Sequence, residues 1–212
     1  VETLNMQTKQ KGEKLYIVCD KDQLDENGSM QIFSLIDKLS AELSIVKDEN
    51  QKKNLLIHRA IAHSVLRDFE AAIQDFDDYL KLDDHNALAY WARAVCQMEM
   101  DEFHVAEGQP ILNVHSAEAD LSDAIRLSNN NNAYIYYNRA NLHAKRKELS
   151  KAIDDYTMAI KIDNRLAEAY YNRGIARSKS GNKAAAIQDL SKAGELGLYD
   201  AYSVIKRLNK QK

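Results

Sequence analysis

From residue 29 onward, apolar residues recur three and four places apart along most of the chain, which is the spacing of one face of an α-helix. Ile32, Leu35, Ile36, Leu39, Leu43 and Val46 predict a helix over 29–47, with Ser29 as its N-cap after the turn-like Glu26–Asn27–Gly28. This packing helix is placed in 29–52, ahead of a repeated region. Helical patterns then come in pairs. The first members are LLIHRAIAH (55–63), AYWARAVCQ (89–97), IYYNRANLH (135–143) and AYYNRGIAR (169–177). The second members are AAIQDFDDYLKLD (71–83), SAEADLSDAIRLS (116–128), KAIDDYTMAIKID (151–163) and AAIQDLSKAGELG (185–197). A last stripe, Tyr202, Ile205 and Leu208 among Lys206, Arg207 and Lys210, predicts a capping helix in 201–212 over the exposed end of the stack. Only Leu15-Tyr16-Ile17-Val18-Cys19 reads as a strand. A lone strand needs a partner, so 1–28 is taken as a remnant of a preceding domain.

The units begin at Lys53, Ala87, Ala133 and Ala167, at offsets of 34, 46 and 34 residues. They run over 53–86, 87–132, 133–166 and 167–200. The extra length of the second falls mostly within 101–115, with one residue more in Asn129–Asn132. Small residues hold the eighth place (Ala60, Ala94, Ala140, Gly174) and, with the insertion of the second unit left out of the count, the twentieth (Ala72, Ala117, Ala152, Ala186). Bulky ones follow four places later at Phe76, Leu121, Tyr156 and Leu190. A small residue lets two helices approach, and its bulky neighbour fills the groove beside it.

In period and in these positions the region 53–200 resembles the tetratricopeptide repeat (TPR) family. The resemblance implies an all-α, right-handed solenoid of helix–turn–helix units that binds other proteins and is not an enzyme. The family's terminal proline is absent from every unit. Asp84, Asn129, Asn164 and Leu198 stand near that place, and Asp and Asn can cap helix ends. The run AIQDLSKAGELGLYDAYSVIKR (186–207) resembles bacterial members more than eukaryotic co-chaperones. It leans the location toward a cell envelope or periplasm, with the cytoplasm as the alternative.

Composition agrees with helices. The 212 residues include one proline, Pro110, and seven glycines. A net charge of −3 gives no basic surplus for nucleic acid or an anionic membrane. No apolar run is long enough to insert directly in a bilayer, and no signal peptide is visible. The first residue is Val1, so the chain is read as a mature or excised form. Cys19 and Cys96 make no disulfide framework.

Two sets of positions carry candidate function. Arginine fills the seventh place of every unit (Arg59, Arg93, Arg139, Arg173), where the family usually has a half-buried leucine. Aspartate fills the twenty-third (Asp75, Asp120, Asp155, Asp189). A buried charge needs a partner, so these are expected to form a structural ion-pair ladder rather than an anion site. The resemblance also implies that the first helices line a concave groove. It assigns to that groove Trp91, Val95 and Met98; Tyr134, Tyr137, Asn138, Asn141 and Lys145; and Tyr171, Asn172, Ile175 and Lys179. Aromatic residues there would anchor a peptide or partner protein, and asparagines would bond its backbone. The contrary reading packs the aromatics on neighbouring helices. Asn138 fits the middle place of the family's carboxylate clamp. Trp91, Val95, Glu168 and Asn172 break the flanking places, so a chaperone-tail clamp is disfavoured.

The insertion holds His104, His115, Glu102 and Glu107, in no compact metal motif. It reads as a longer first helix and a loop that tucks Ile111 and Leu112 onto the stack. No metal and no cofactor is expected. Neither GxSxG, a P-loop nor GxGxxG is present, and the acid pairs Asp77–Asp78, Asp83–Asp84 and Asp154–Asp155 fall on helix surfaces or ends. The sequence therefore points to a non-catalytic scaffold for protein–protein interaction. The alternatives are a structural spacer or self-association module of a larger chain, and an envelope-associated platform for a ligand or glycan.

Overall fold

The computed structural model describes residues 25–106 and 117–210. These residues form helices and turns, with no strand among them. The helices are α1 (Glu26–Ile45), α2 (Glu49–Val65), α3 (Phe69–Leu82), α4 (Ala87–Ala106), α5 (Ala117–Leu127), α6 (Ala133–Lys145), α7 (Leu149–Ile162), α8 (Ala167–Lys179), α9 (Lys183–Glu195) and α10 (Asp200–Lys210). The chain divides between Ser128 and Asn129 into two compact units. In the first, α1 packs on α2, and the hairpins α2–α3 and α4–α5 pack through α3 and α4. In the second, the hairpins α6–α7 and α8–α9 pack through α7 and α8, and α10 closes on α9.

Small residues lie at each helix crossing. Ala60, Ala94 and Ala140 are wholly buried, as are Phe76, Leu121 and Leu190 on the second helices. At the α8–α9 crossing the fit leaves no space for a side chain. A Cβ on Gly174 would fall 2.9 Å from the Leu190 Cγ and 3.1 Å from the Ala186 carbonyl oxygen. Glycine stands there because the Leu190 side chain and the Ala186 carbonyl leave no room for a Cβ.

The turns inside the α2–α3, α6–α7 and α8–α9 hairpins follow one design. Arg67, Lys147 and Gly181, all at the fifteenth place of a unit, are left-handed, with φ of 61°, 62° and 89°. The Lys147 N–H donates to the Ala144 carbonyl (3.1 Å) and the Glu148 N–H to the His143 carbonyl (2.9 Å). Arg67–Asp68 and Gly181–Asn182 repeat both bonds, which close the last carbonyls of the helix. Between units the missing proline is replaced by side-chain caps. Asp83 and Asp163 each accept a bond from the backbone N–H two residues on, at 3.2 and 2.9 Å. They stand one place before the expected Asp84 and Asn164. After α5 the chain turns through Asn129 and Asn130, with φ of 54° and 56°, a conformation asparagine tolerates well.

Several boundaries differ from those the sequence suggests. The N-cap of α1 is Asp25, not Ser29: its carboxylate accepts from the Gly28 N–H at 2.7 Å, so Glu26–Asn27–Gly28 is the first helical turn. The packing helix ends at Ile45, two residues short of the expected 47, and within the 29–52 segment Asp48 caps a new helix, accepting from the Gln51 N–H at 2.8 Å. α10 is rotated by about one residue from the expected stripe. Ala201, Val204 and Leu208 are buried, whereas Tyr202 is 48% exposed with its ring over Gly194. Helix α4 does run long, to Ala106. The strand reading of Leu15–Cys19, and the readings of Glu107, Pro110, Ile111, Leu112 and His115, lie outside the described residues. Cys96 is buried and free, and burial pushes its thiol well above the usual range.

The left-handed turn gives a test. Lys147 is exposed and a non-glycine residue there costs about 1 kcal/mol. Lys147→Gly is expected to stabilise the chain by about that amount in urea denaturation, and Gly181→Ala to destabilise it similarly.

Candidate functional site

Each repeat arginine meets an aspartate on the second helix of its hairpin through two parallel bonds. Arg59 Nε and Nη2 donate to Asp75 at 2.8 and 2.6 Å, and Arg93 to Asp120 at 2.7 Å both times. Arg139 donates to Asp155 at 2.8 Å twice, and Arg173 to Asp189 at 2.9 and 2.7 Å. The four aspartates are buried. The third nitrogen reaches the preceding helix in three cases. Arg59 Nη1 donates to Ser40 of α1 (3.0 Å), Arg93 Nη1 to Asp77 of α3 (2.6 Å) and Arg173 Nη1 to Thr157 of α7 (3.0 Å). One guanidinium thus ties three helices. α1 supplies Ser40 where α3 and α7 supply Asp77 and Thr157, so it plays the part of a preceding second helix.

A tyrosine one turn earlier lies under three of the guanidinium planes: Tyr90, Tyr136 and Tyr170, at 5.6, 5.8 and 5.6 Å. The bond to Asp75 holds the Arg59 pKa above its ordinary value against the pull of burial. At Arg93 burial is the largest influence and lowers the pKa, but bonds and charges from Asp120 and Asp77 outweigh it, so the net shift is upward. With their forks filled by aspartate, these arginines present no open fork to an anionic ligand.

The residues assigned to a groove separate into buried and open ones. On α4, Trp91 is buried, and Val95 and Met98 are half-buried. Tyr137 on α6 is buried too. Neither Trp91 nor Tyr137 offers its ring to a partner, contrary to the expectation from sequence; the fifth place of a unit can turn inward as well as outward. Tyr137 lies against Tyr156 of α7, ring centroids 6.0 Å apart. Its hydroxyl accepts from Asn172 Nδ2 at 3.1 Å, and that nitrogen also donates to Asn141 Oδ1 at 3.1 Å. The Tyr156 hydroxyl donates to the same Asn141 oxygen at 2.6 Å. Burial, with Tyr137 alongside, raises the Tyr156 pKa, and a bond with Asn172 partly opposes the rise. Asn141 and Asn172 therefore clip α6, α7 and α8 together.

Above this network stand the open side chains. Tyr134, Asn138, Tyr171 and Ile175 are half-buried, and Lys145 and Lys179 are exposed. Burial raises the Tyr134 pKa, as do the charges of Asp163 and Glu168. Beyond Tyr171 a pocket of about 530 Å³ opens against α10, a feature the sequence reading missed. The rotated face of α10 forms it, and no repeat position signals it. Among the described residues no group of three His, Cys, Asp or Glu could hold a metal ion, and no helix is long and apolar enough to cross a membrane.

The ladder predicts unequal losses. Arg93→Leu strips Asp120 of its guanidinium and is expected to cost about 3–5 kcal/mol in urea denaturation. Arg173→Leu leaves Arg177 Nη1 on Asp189 at 2.8 Å and should cost clearly less. Equal losses would contradict the pairing argument.

Known proteins share this architecture. Models of the tetratricopeptide repeat match residues 133–165 and 167–196. The human small glutamine-rich tetratricopeptide repeat-containing protein beta is 32% identical over 100 residues, which are 45% of this chain and 33% of the human protein. The chain spans about a third of the length of the curated relatives it matches. A crystal structure of MamA superposes with a TM-score of 0.66 at 22% identity, over 84% of this chain and 98% of MamA. YrrB, described as a TPR protein with an unusual peptide-binding site, gives 0.62 at 17% identity, over 85% of this chain and 89% of its own. At such identities the likeness is one of fold. With the repeat models, the 34-residue spacing and the helical hairpins, it identifies the chain as a tetratricopeptide-repeat protein.

Proposed function

We propose that the chain is a non-catalytic scaffold that binds a peptide segment of a partner protein across α6 and α8. The observation that carries this reading is the open Asn138 amide. It is half-buried on α6 and makes no hydrogen bond among the described residues, while the asparagines beside it are engaged in the fold. A side-chain amide both donates and accepts, so it can bond the backbone of an extended peptide. Tyr134 and Tyr171 add half-open aromatic area, and Lys145 and Lys179 add exposed charge. The network beneath holds these groups in place, which lowers the entropy lost on binding. YrrB, with its peptide-binding site, lends the reading support by fold. The buried acids are clamped by arginine, an arrangement suited to cross-linking helices rather than to acid–base chemistry. In the first unit, Val95 and Met98 offer half-open apolar area on α4 and are proposed as a further contact.

Phage display of random short peptides tests this on wild type, on Asn138→Ala/Lys179→Ala and on Tyr171→Ala, each variant first shown to keep wild-type helicity by circular dichroism. Peptides enriched on wild type should bind the variants at least about tenfold more weakly. Equal binding to the folded variants, or no enrichment on wild type, would sink the proposal and leave the spacer reading.

A further inference from the structure

We infer that the pocket between α8 and α10 receives an acidic stretch of the partner peptide. The inference rests on the reading of the α6–α8 face as partner-binding and names the chemistry at one end of it. The pocket, about 530 Å³, is lined by Tyr171 of α8 and by Asp200, Ser203, Val204, Lys206, Arg207 and Lys210 of α10. Asp200, Ser203, Arg207 and Lys210 are spaced three, four and three apart, so they form one stripe along the helix. That stripe is about 15 Å long. It carries a single acid in the first turn and its cations toward the other end.

The burial pattern explains why the stripe faces open space. Ala201, Val204 and Leu208 turn into the core with Ala186, Leu190 and Ala193, and Tyr171 packs against the same cluster. This leaves Arg207 and Lys210 exposed on the flank of the buried row. Lys206, Arg207 and Lys210 make no ion pair among the described residues. The repeat arginines all have one, so this is where unneutralised guanidinium and ammonium groups meet a concavity. Cations in a last helical turn also suit the helix dipole, but that role needs no pocket.

The lining fits a peptide carboxylate. Arg207 offers a planar fork for two parallel bonds to a carboxylate, and Lys206 and Lys210 add charge on either side. Tyr171 and Val204 give an apolar floor for the side-chain stem. Asp200 repels acid at the opposite end, so acidic side chains are drawn to the Lys206–Lys210 end of the pocket. Nucleic acid would ask for a longer basic track, and the whole chain carries a net charge of −3.

The test uses the full chain and the same random-peptide library, with a Lys206→Gln/Arg207→Gln/Lys210→Gln variant. All three side chains are exposed, so the variant should keep wild-type helicity by circular dichroism. Peptides selected on wild type should be enriched in Asp and Glu, and those selected on the variant should not. A fluorescein-labelled peptide made from the wild-type pool should bind the variant at least about tenfold more weakly, and should bind wild type more weakly as NaCl is raised. Peptides that depend on Asn138 and Tyr171 but show no acidic bias would overturn this inference and leave the groove reading standing. An empty wild-type selection would end both. Unchanged affinity for the triple variant would overturn the site. Displacement of the labelled peptide by an equal concentration of oligothymidylate would do the same and assign the pocket to nucleic acid.

Discussion

A carboxylate buried beneath a helix crossing must be paired, and here the pairing organises each hairpin. Asp75, Asp120, Asp155 and Asp189 lie on second helices within a few per cent of full burial. Each is met by the planar fork of an arginine on the first helix of the same hairpin. The fork tolerates little rotation, so it fixes how far one helix is turned relative to the other. The neighbouring small residue fixes how closely they approach, and at Gly174 even a Cβ would meet the Leu190 side chain. In three hairpins the remaining nitrogen bonds the preceding helix, so the same side chain sets the next packing step.

This constraint shapes the face offered to a partner. With the arginines turned inward, the outward places on α6 and α8 fall to tyrosine, asparagine and lysine. Tyr137, Asn141, Tyr156 and Asn172 form a second layer of bonds beneath them. The open groups therefore sit on a stiff base, and stiffness serves a binding surface by reducing what must be ordered on contact. At α10 the repeat ends, and with it the pairing. Lys206, Arg207 and Lys210 border the pocket without aspartate partners, so charge that is consumed inside the hairpins becomes available at the cap.

The all-α repeat fold was legible because it rests on spacing. The recurrence of Ala60, Ala94, Ala140 and Gly174 with a bulky residue sixteen places on (more in the second unit) states the crossing directly. The arginines and aspartates also recur in phase, and the structure adds their distances. Other features depend on single local bonds. Asp25 and Ser29 are both good caps, and only the bond to Gly28 decides between them. Left-handed φ at Arg67 and Lys147 was hidden because neither residue advertises it, although Gly181 at the same place of its unit does. The candidate face was harder still. Trp91 and Tyr171 share a place in the repeat, yet one is buried and the other half-open. What covers a side chain at the fifth place is set by neighbouring segments, which repeat numbering does not carry.

The central claim is that the arginine–aspartate pairs hold the hairpins together, and a double-mutant cycle across Arg59 and Asp75 tests it most directly. Arg59→Leu, Asp75→Leu and the double variant would be compared with wild type by urea denaturation. The account predicts that each single change is costly and that the double variant recovers much of the loss, with a coupling of about 2 kcal/mol or more. Additive losses, with no coupling between two groups 2.6 Å apart, would contradict it.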